Sequence, residues 1–168
     1  MKAIGIVIAV VAALALQTTL ARYVRGSAAV DLVLVVVVYV ALTYGPVAGL
    51  MTGTIGGLVQ DAMTTGVLGI GGLAKTVVGF LAGIIGTQFI VVHTLPRFVV
   101  FFCATVLYAV VFMGLYVLLD LRHFGTPYAA VTGQAVGNAV IGVVVFQLAE
   151  LLPGAMESRR AQRGRIRR

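Results

Sequence analysis

Six apolar runs, parted by short clusters of polar residues, glycine and proline, make up most of the chain. They cover residues 3–21, 31–44, 47–59, 67–92, 98–119 and 128–152. A helix that crosses a hydrocarbon core roughly 30 Å thick needs about 20 mainly apolar residues. The first run meets that length, the fourth to sixth exceed it, and Lys75 is the one charge inside the fourth. The separators are Arg22, Arg25, Gly26 and Ser27; then Gly45-Pro46; then Gln60-Asp61 with the loose stretch 62–66. His93, Pro96 and Arg97 form the next, and Asp120, Arg122, His123, Gly125 and Pro127 the one after it. Pro153-Gly154 stops the last run. The pattern predicts an all-α polytopic membrane helix bundle over residues 1–154 and a separate tail over residues 155–168. Lys2 and the small-x-small triplet Ala13-Leu14-Ala15 imitate a signal peptide. The run continues to Ala21 without a polar region, however, so it reads as an uncleaved first helix.

The number of spans turns on Gly45-Pro46. As a full turn it leaves flanking helices of about 14 residues, or about 21 Å each, which is short for a bilayer. As a kink it makes residues 31–60 one long tilted helix and the total five. Proline disfavours α conformation in the residue before it, and a neighbouring glycine helps a turn form. Charge counting puts Arg97 and the tail on the cytoplasmic side under either count. Six spans leave Arg22 and Arg25 outside. Five spans with an external N-terminus bring them in, so charge alone slightly favours five.

Composition strengthens the membrane reading. Of 168 residues 61% are hydrophobic and 10% charged, and mean hydropathy is +1.11. A soluble domain carries about 25% charged residues, so this chain cannot cover a globule with polar side chains. The formal charge of +7 is concentrated at one end. Arg159, Arg160, Arg163, Arg165, Arg167 and Arg168 against Glu157 give the tail +5, leaving +2 for everything else. Such a tail is too charged to pack and reads as a disordered cytoplasmic segment that touches anionic lipid. The single Cys103 excludes an internal disulfide and reads as a small buried hydrophobe.

Glycines carry the next signal. Gly45, Gly49, Gly53 and Gly57 recur every four residues, and Asp61 continues the series. The fourth run repeats the device with Gly71, Lys75, Gly79, Gly83 and Thr87, and the last run has Gly133 and Gly137. Residues four apart share a helix face, so these are smooth faces where a second backbone can approach closely. They serve packing within the bundle or the docking of another membrane protein. Asp61 and Lys75 are the ionisable residues nearest the membrane interior. A buried pair between them, locking the third and fourth runs, is the sharper expectation; separate solvation, with Lys75 reaching the interface by its apolar stem, is the plainer one. Gln134 and Asn138, one turn apart, read as interhelical hydrogen-bonding groups.

Catalytic patterns are lacking. The glycines of 66–72 follow no strand and make no phosphate cradle. His93 and His123 fall on opposite sides of the membrane, which excludes a shared metal, and no Ser, His and acid set or carboxylate pair converges. No cofactor is implied, and nothing points to nucleic acid.

The middle of the chain resembles a known family. Asp31-Leu32-Val33-Leu34 opens a helix ending in Tyr44-Gly45-Pro46-Val47-Ala48-Gly49, followed by Gly56-Gly57-Leu58-Val59-Gln60-Asp61. A short glycine-bearing loop leads to Leu68-Gly69 and then to Lys75-Thr76-Val77-Val78-Gly79-Phe80-Leu81-Ala82-Gly83. That order, over residues 31–86, is similar to the bacterial rod-shape-determining protein MreD family. The resemblance implies six spans in the bacterial inner membrane with both ends in the cytoplasm. It also implies a non-catalytic scaffold of the cell-elongation machinery. Its partners would be the single-pass protein MreC and, in the same assembly, MreB filaments, a glycosyltransferase and a transpeptidase of wall synthesis; association with a second copy is a further expectation. The family's helix arrangement is also similar to the substrate-binding subunits of energy-coupling-factor vitamin transporters. This supplies a rival reading as a vitamin binder, with Ala9 and Ala13 as the small docking residues. Lys75 and the heavy arginine tail depart from the family pattern.

Overall fold

The computed structural model describes residues 2–23, 30–64, 67–88, 94–121 and 128–151. Among the described residues it is all-helical, with six helices: α1 (Lys2–Tyr23), α2 (Leu32–Tyr44), α3 (Pro46–Ala62), α4 (Ile70–Gln88), α5 (Thr94–Leu118) and α6 (Tyr128–Leu151). Three segments, Ile70–Gln88, Thr94–Leu118 and Tyr128–Glu150, are long and apolar enough to cross a membrane; Ile4–Thr19 and Leu32–Tyr44 are shorter apolar helices. Arg159, Arg160, Arg163, Arg165, Arg167 and Arg168 of the tail, together with His93 and His123, lie outside the described residues.

Gly45-Pro46 is a full turn. Gly45 has φ +95° and is both the C-cap of α2 and the N-cap of α3. A side chain would be strained there, whereas glycine is not. Pro46 follows at the first position of α3, where its missing N–H costs nothing and its fixed φ suits a helix start. The two helices fold back on each other: Gly56 lies against Val33, and Gly49 against Ala41.

α2 is the axis of the bundle and touches each of the other five helices. Its sequence, LVLVVVVYVALTY, is apolar all round, and eight of its 13 residues are buried, as expected for a helix enclosed on every side. Valine-rich runs favour strands in water. In an apolar surround each backbone group must find its partner within the segment, and the helix achieves this.

α3 and α4 are antiparallel and meet along their glycines. A Cβ on Gly49 would overlap the Gly79 carbonyl, one on Gly53 the Lys75 carbonyl, and one on Gly57 the Gly72 backbone. In return, a Cβ on Gly79 would overlap Gly49, and one on Gly83 would overlap Pro46. Thr54 and Thr76 share a hydrogen bond of 2.8 Å across the same seam. The glycine face of α3 is therefore taken up by α4, and its opposite ridge, Val47, Met51, Ile55 and Val59, is exposed. The last run behaves differently. Gly133 is exposed, and a Cβ on Gly137 would meet only Val30, at 3.1 Å. The close approach of α5 to α6 is made instead at Gly142, where a Cβ would strike the Phe101 ring. Cys103 is exposed on α5 and not buried as its apolar surroundings suggested.

Replacing Gly53 by Leu forces two backbones apart and should destabilise the fold by at least about 3 kcal/mol. Gly133→Leu, on an exposed face, should stay within about 0.5 kcal/mol. Thermal unfolding in mild detergent distinguishes the two; equal effects would mean that the seam does not carry the packing.

Candidate functional site

The N-terminus of α2 lies inside the bundle. Asn138, which meets it, is ten residues into α6, or about 15 Å from that helix's start at 1.5 Å per residue. Orphan N–H groups at a helix start are costly where water is excluded, and here side chains from several helices satisfy them. Asp31 is the N-cap, and its Oδ1 accepts from the Leu34 N–H at 3.0 Å. The Asp31 N–H donates to Asn138 Oδ1 at 2.9 Å, and the Val33 N–H donates to Gln17 Oε1 of α1 at 3.4 Å.

The Asp31 carboxylate then needs a countercharge. Lys75 Nζ from α4 stands 2.8 Å from Asp31 Oδ2, and both side chains are almost fully buried. The same ammonium lies 4.2 Å from the Tyr108 ring centroid of α5, a cation–π contact that gains strength from desolvation. Gln60 of α3 adds a longer contact, its Nε2 donating to Asp31 Oδ1 at 3.4 Å. Asn138 Nδ2 donates to Thr105 Oγ1 at 3.1 Å, and Thr105 Oγ1 donates to the Phe101 carbonyl at 2.9 Å. Gln17, Asp31, Gln60, Lys75, Thr105 with Tyr108, and Asn138 thus bring one polar contribution from each of the six helices to one centre.

The expected Asp61–Lys75 pair is corrected by this geometry. The antiparallel seam sets Gly53 beside Lys75 and Gly57 beside Gly72, so Asp61, one turn further on, falls at the start of α4. Its Oδ2 accepts from the Gly69 and Gly72 N–H groups, both at 3.0 Å, and a Cβ on Gly71 would collide with that carboxylate. Asp61 therefore caps α4 from outside, where a negative charge also suits the helix dipole. Lys75 lies deeper and turns to Asp31 instead. Of the two amides expected to act together, Asn138 carries these contacts, and Gln134 is half-buried.

A second ion pair closes the other end of the bundle. Arg97, buried in the first turn of α5, donates to both carboxylate oxygens of Glu150 in α6, at 2.9 and 2.6 Å. Its guanidinium lies 4.3 Å from the Phe146 ring centroid, and Phe146 packs edge-on to Tyr39 of α2 at 5.0 Å. Sequence reasoning took Arg97 as a loop charge and passed over Glu150. Chemically, both centres hold helices together: each charge has an opposite partner, and neither centre sets a nucleophile beside a base.

The family model for rod shape-determining protein MreD matches residues 2–153. The chain belongs to that family. Its role is therefore in rod shape determination, within a family of structural proteins that is not a known enzyme family. Membership and the three long apolar helices together mark a membrane protein of the shape-determining system. Comparison with the curated proteins and with the solved structures yields no match.

Asp31 and Lys75 should be energetically coupled. Asp31→Asn keeps a capping side chain but strands the lysine, and Lys75→Met strands the aspartate; each should cost about 3–5 kcal/mol, and the double change much less than the two together. Asp61→Asn should add independently to Lys75→Met. Thermal unfolding of the five variants in detergent measures this, and strictly additive Asp31 and Lys75 effects would overturn the pairing.

Proposed function

We propose that this chain is a non-catalytic scaffold of the bacterial cell-elongation machinery, spanning the inner membrane six times with both termini in the cytoplasm. In this reading it binds the single-pass protein MreC and, with it, couples MreB filaments to the glycosyltransferase and transpeptidase of wall synthesis. The family match over residues 2–153 carries the reading. An even number of helices, with α3 antiparallel to both α2 and α4, and α6 to α5, supports the topology. The +5 charge of residues 155–168 favours a cytoplasmic C-terminus and contact with anionic lipid.

The interior favours a scaffold over a vitamin binder, because the buried charged groups and Asn138 are engaged with one another. The glycines Gly49, Gly53, Gly57, Gly79 and Gly83 face each other across the seam. A partner would accordingly meet the exposed faces of the bundle, such as the outer ridge of α3 or the side of α1 carrying Ile4, Val7, Ile8 and Val11.

Affinity purification in mild detergent should co-elute MreC, and depletion of the chain should turn rod-shaped cells round. A reporter active only outside the cytoplasm should give no signal when fused at residue 2 or residue 168. Signal at residue 2 alone would establish five spans, and an eluate without MreC or an unchanged cell shape would remove the scaffold reading.

A further inference from the structure

The α2–α3 hairpin is built from the two shortest helices of the bundle. A spanning helix needs about 20 mainly apolar residues, whereas α2 has 13 and α3 has 17. α3 also carries Gly49, Thr52, Gly53, Thr54, Gly56 and Gly57 and does not reach the hydropathy of the apolar helices. α2 begins at a carboxylate held deep among the other helices. By contrast α4, α5 and α6 supply the three segments with the length and hydropathy of autonomous spans.

Apart from α1, whose Gln17 accepts from the Val33 N–H, what holds the α2–α3 hairpin comes later in the chain. Lys75 of α4 neutralises Asp31, Asn138 of α6 accepts from the Asp31 N–H, and the backbone of α4 receives the glycines of α3. A charge on a membrane helix is expensive until it is paired, so an Asp31 without Lys75 favours any state that leaves it in water. We propose that α2–α3 is a conditional hairpin whose place in the membrane depends on the Asp31–Lys75 pair, so that the second half of the chain fixes the topology of the first. Lys75 is then the residue that makes this short hairpin a stable transmembrane element. The inference rests on the six-span reading, in which the connection between α3 and α4 faces outward.

The test uses the full chain with Cys103→Ala, which removes the one native thiol, and two single cysteines in turn. Met63→Cys stands at the exposed C-cap of α3, on the outer side whether or not the hairpin is inserted. Tyr44→Cys, also at an exposed position, stands beside the α2–α3 turn, which is cytoplasmic only when the hairpin spans the membrane. Intact spheroplasts are treated with a membrane-impermeant maleimide, and labelling is normalised to the chain present in the membrane. Met63→Cys should label from outside and Tyr44→Cys should not. Adding Lys75→Met should raise labelling of Tyr44→Cys by about tenfold, and adding Asp31→Asn to that variant should remove most of the gain, because removing both charges is nearly neutral. Equally low labelling of Tyr44→Cys in all three backgrounds would mean that the hairpin inserts unaided and would overturn the proposal. Equally high labelling of the single and double variants would assign the effect to packing and overturn it too. An unlabelled Met63→Cys would overturn the six-span topology, and the proposal with it.

Discussion

The constraint on which the structure depends is the unsatisfied start of a helix inside an apolar interior. α2 begins about ten residues below the start of α6, where water cannot solvate its first N–H groups. Asp31, Gln17 and Asn138 provide the acceptors. Once a carboxylate is used as the cap, a cation must follow, and Lys75 supplies it at 2.8 Å. The lysine then needs a lined pocket, and Tyr108 offers the face of a ring. Each polar group in the centre answers a demand created by the one before it. Removing one member leaves the others buried and unpaired, which is why such a network holds six helices in one arrangement.

The glycine seam is what allows that centre to form. With no hydrophobic drive between helices in lipid, association relies on close van der Waals contact and hydrogen bonds. Gly53 packs directly on the Lys75 backbone, and this brings α4 close enough for the lysine side chain to reach Asp31. A bulkier α3 would move Lys75 outward and separate the charges. Packing and electrostatics are thus successive steps of one construction, with the seam fixing the distance and the ion pair fixing the register.

Much of this was legible in the sequence, and the parts that were not have definite reasons. Glycines four residues apart encode a helix face directly, so the smooth faces of α3 and α4 could be read without knowing their neighbours; that they meet each other is what the structure adds. Gly45-Pro46 marked an interruption by its local geometry, but spacing and charge left a full turn and a kink both open, and the structure makes it a turn. The partner of Lys75 was missed because Asp31 stands 44 positions earlier at the edge of a run, where it reads only as a helix start. Its nearness to α4 follows from α2 being the central helix, and composition does not state which apolar helix is central. One signal was available, however. A short connection between antiparallel helices sets Asp61 beside the first turn of α4, not beside Lys75. Gly133 and Gly142 show the limit of spacing arguments, since the glycine that Phe101 needs belongs to no stripe.

The two ion pairs also differ in how they meet the helix dipoles, and the difference suits their places in the fold. Asp31 stands at the positive end of its own helix, so the dipole of α2 holds it as well as Lys75 does. Arg97 is in the first turn of α5 and Glu150 in the last turn of α6, each at the unfavourable end of its own helix. Because α5 and α6 are antiparallel, those ends adjoin, and each charge lies close to the favourable end of the other helix. Neither residue gains from its own helix alone, and both gain when the helices meet. Arg97–Glu150 is therefore a pair selective for assembly of α5 with α6, and Phe146 carries that contact on to Tyr39 of the central helix. The end of α6 from which the arginine-rich segment leaves is in this way anchored to the axis of the bundle.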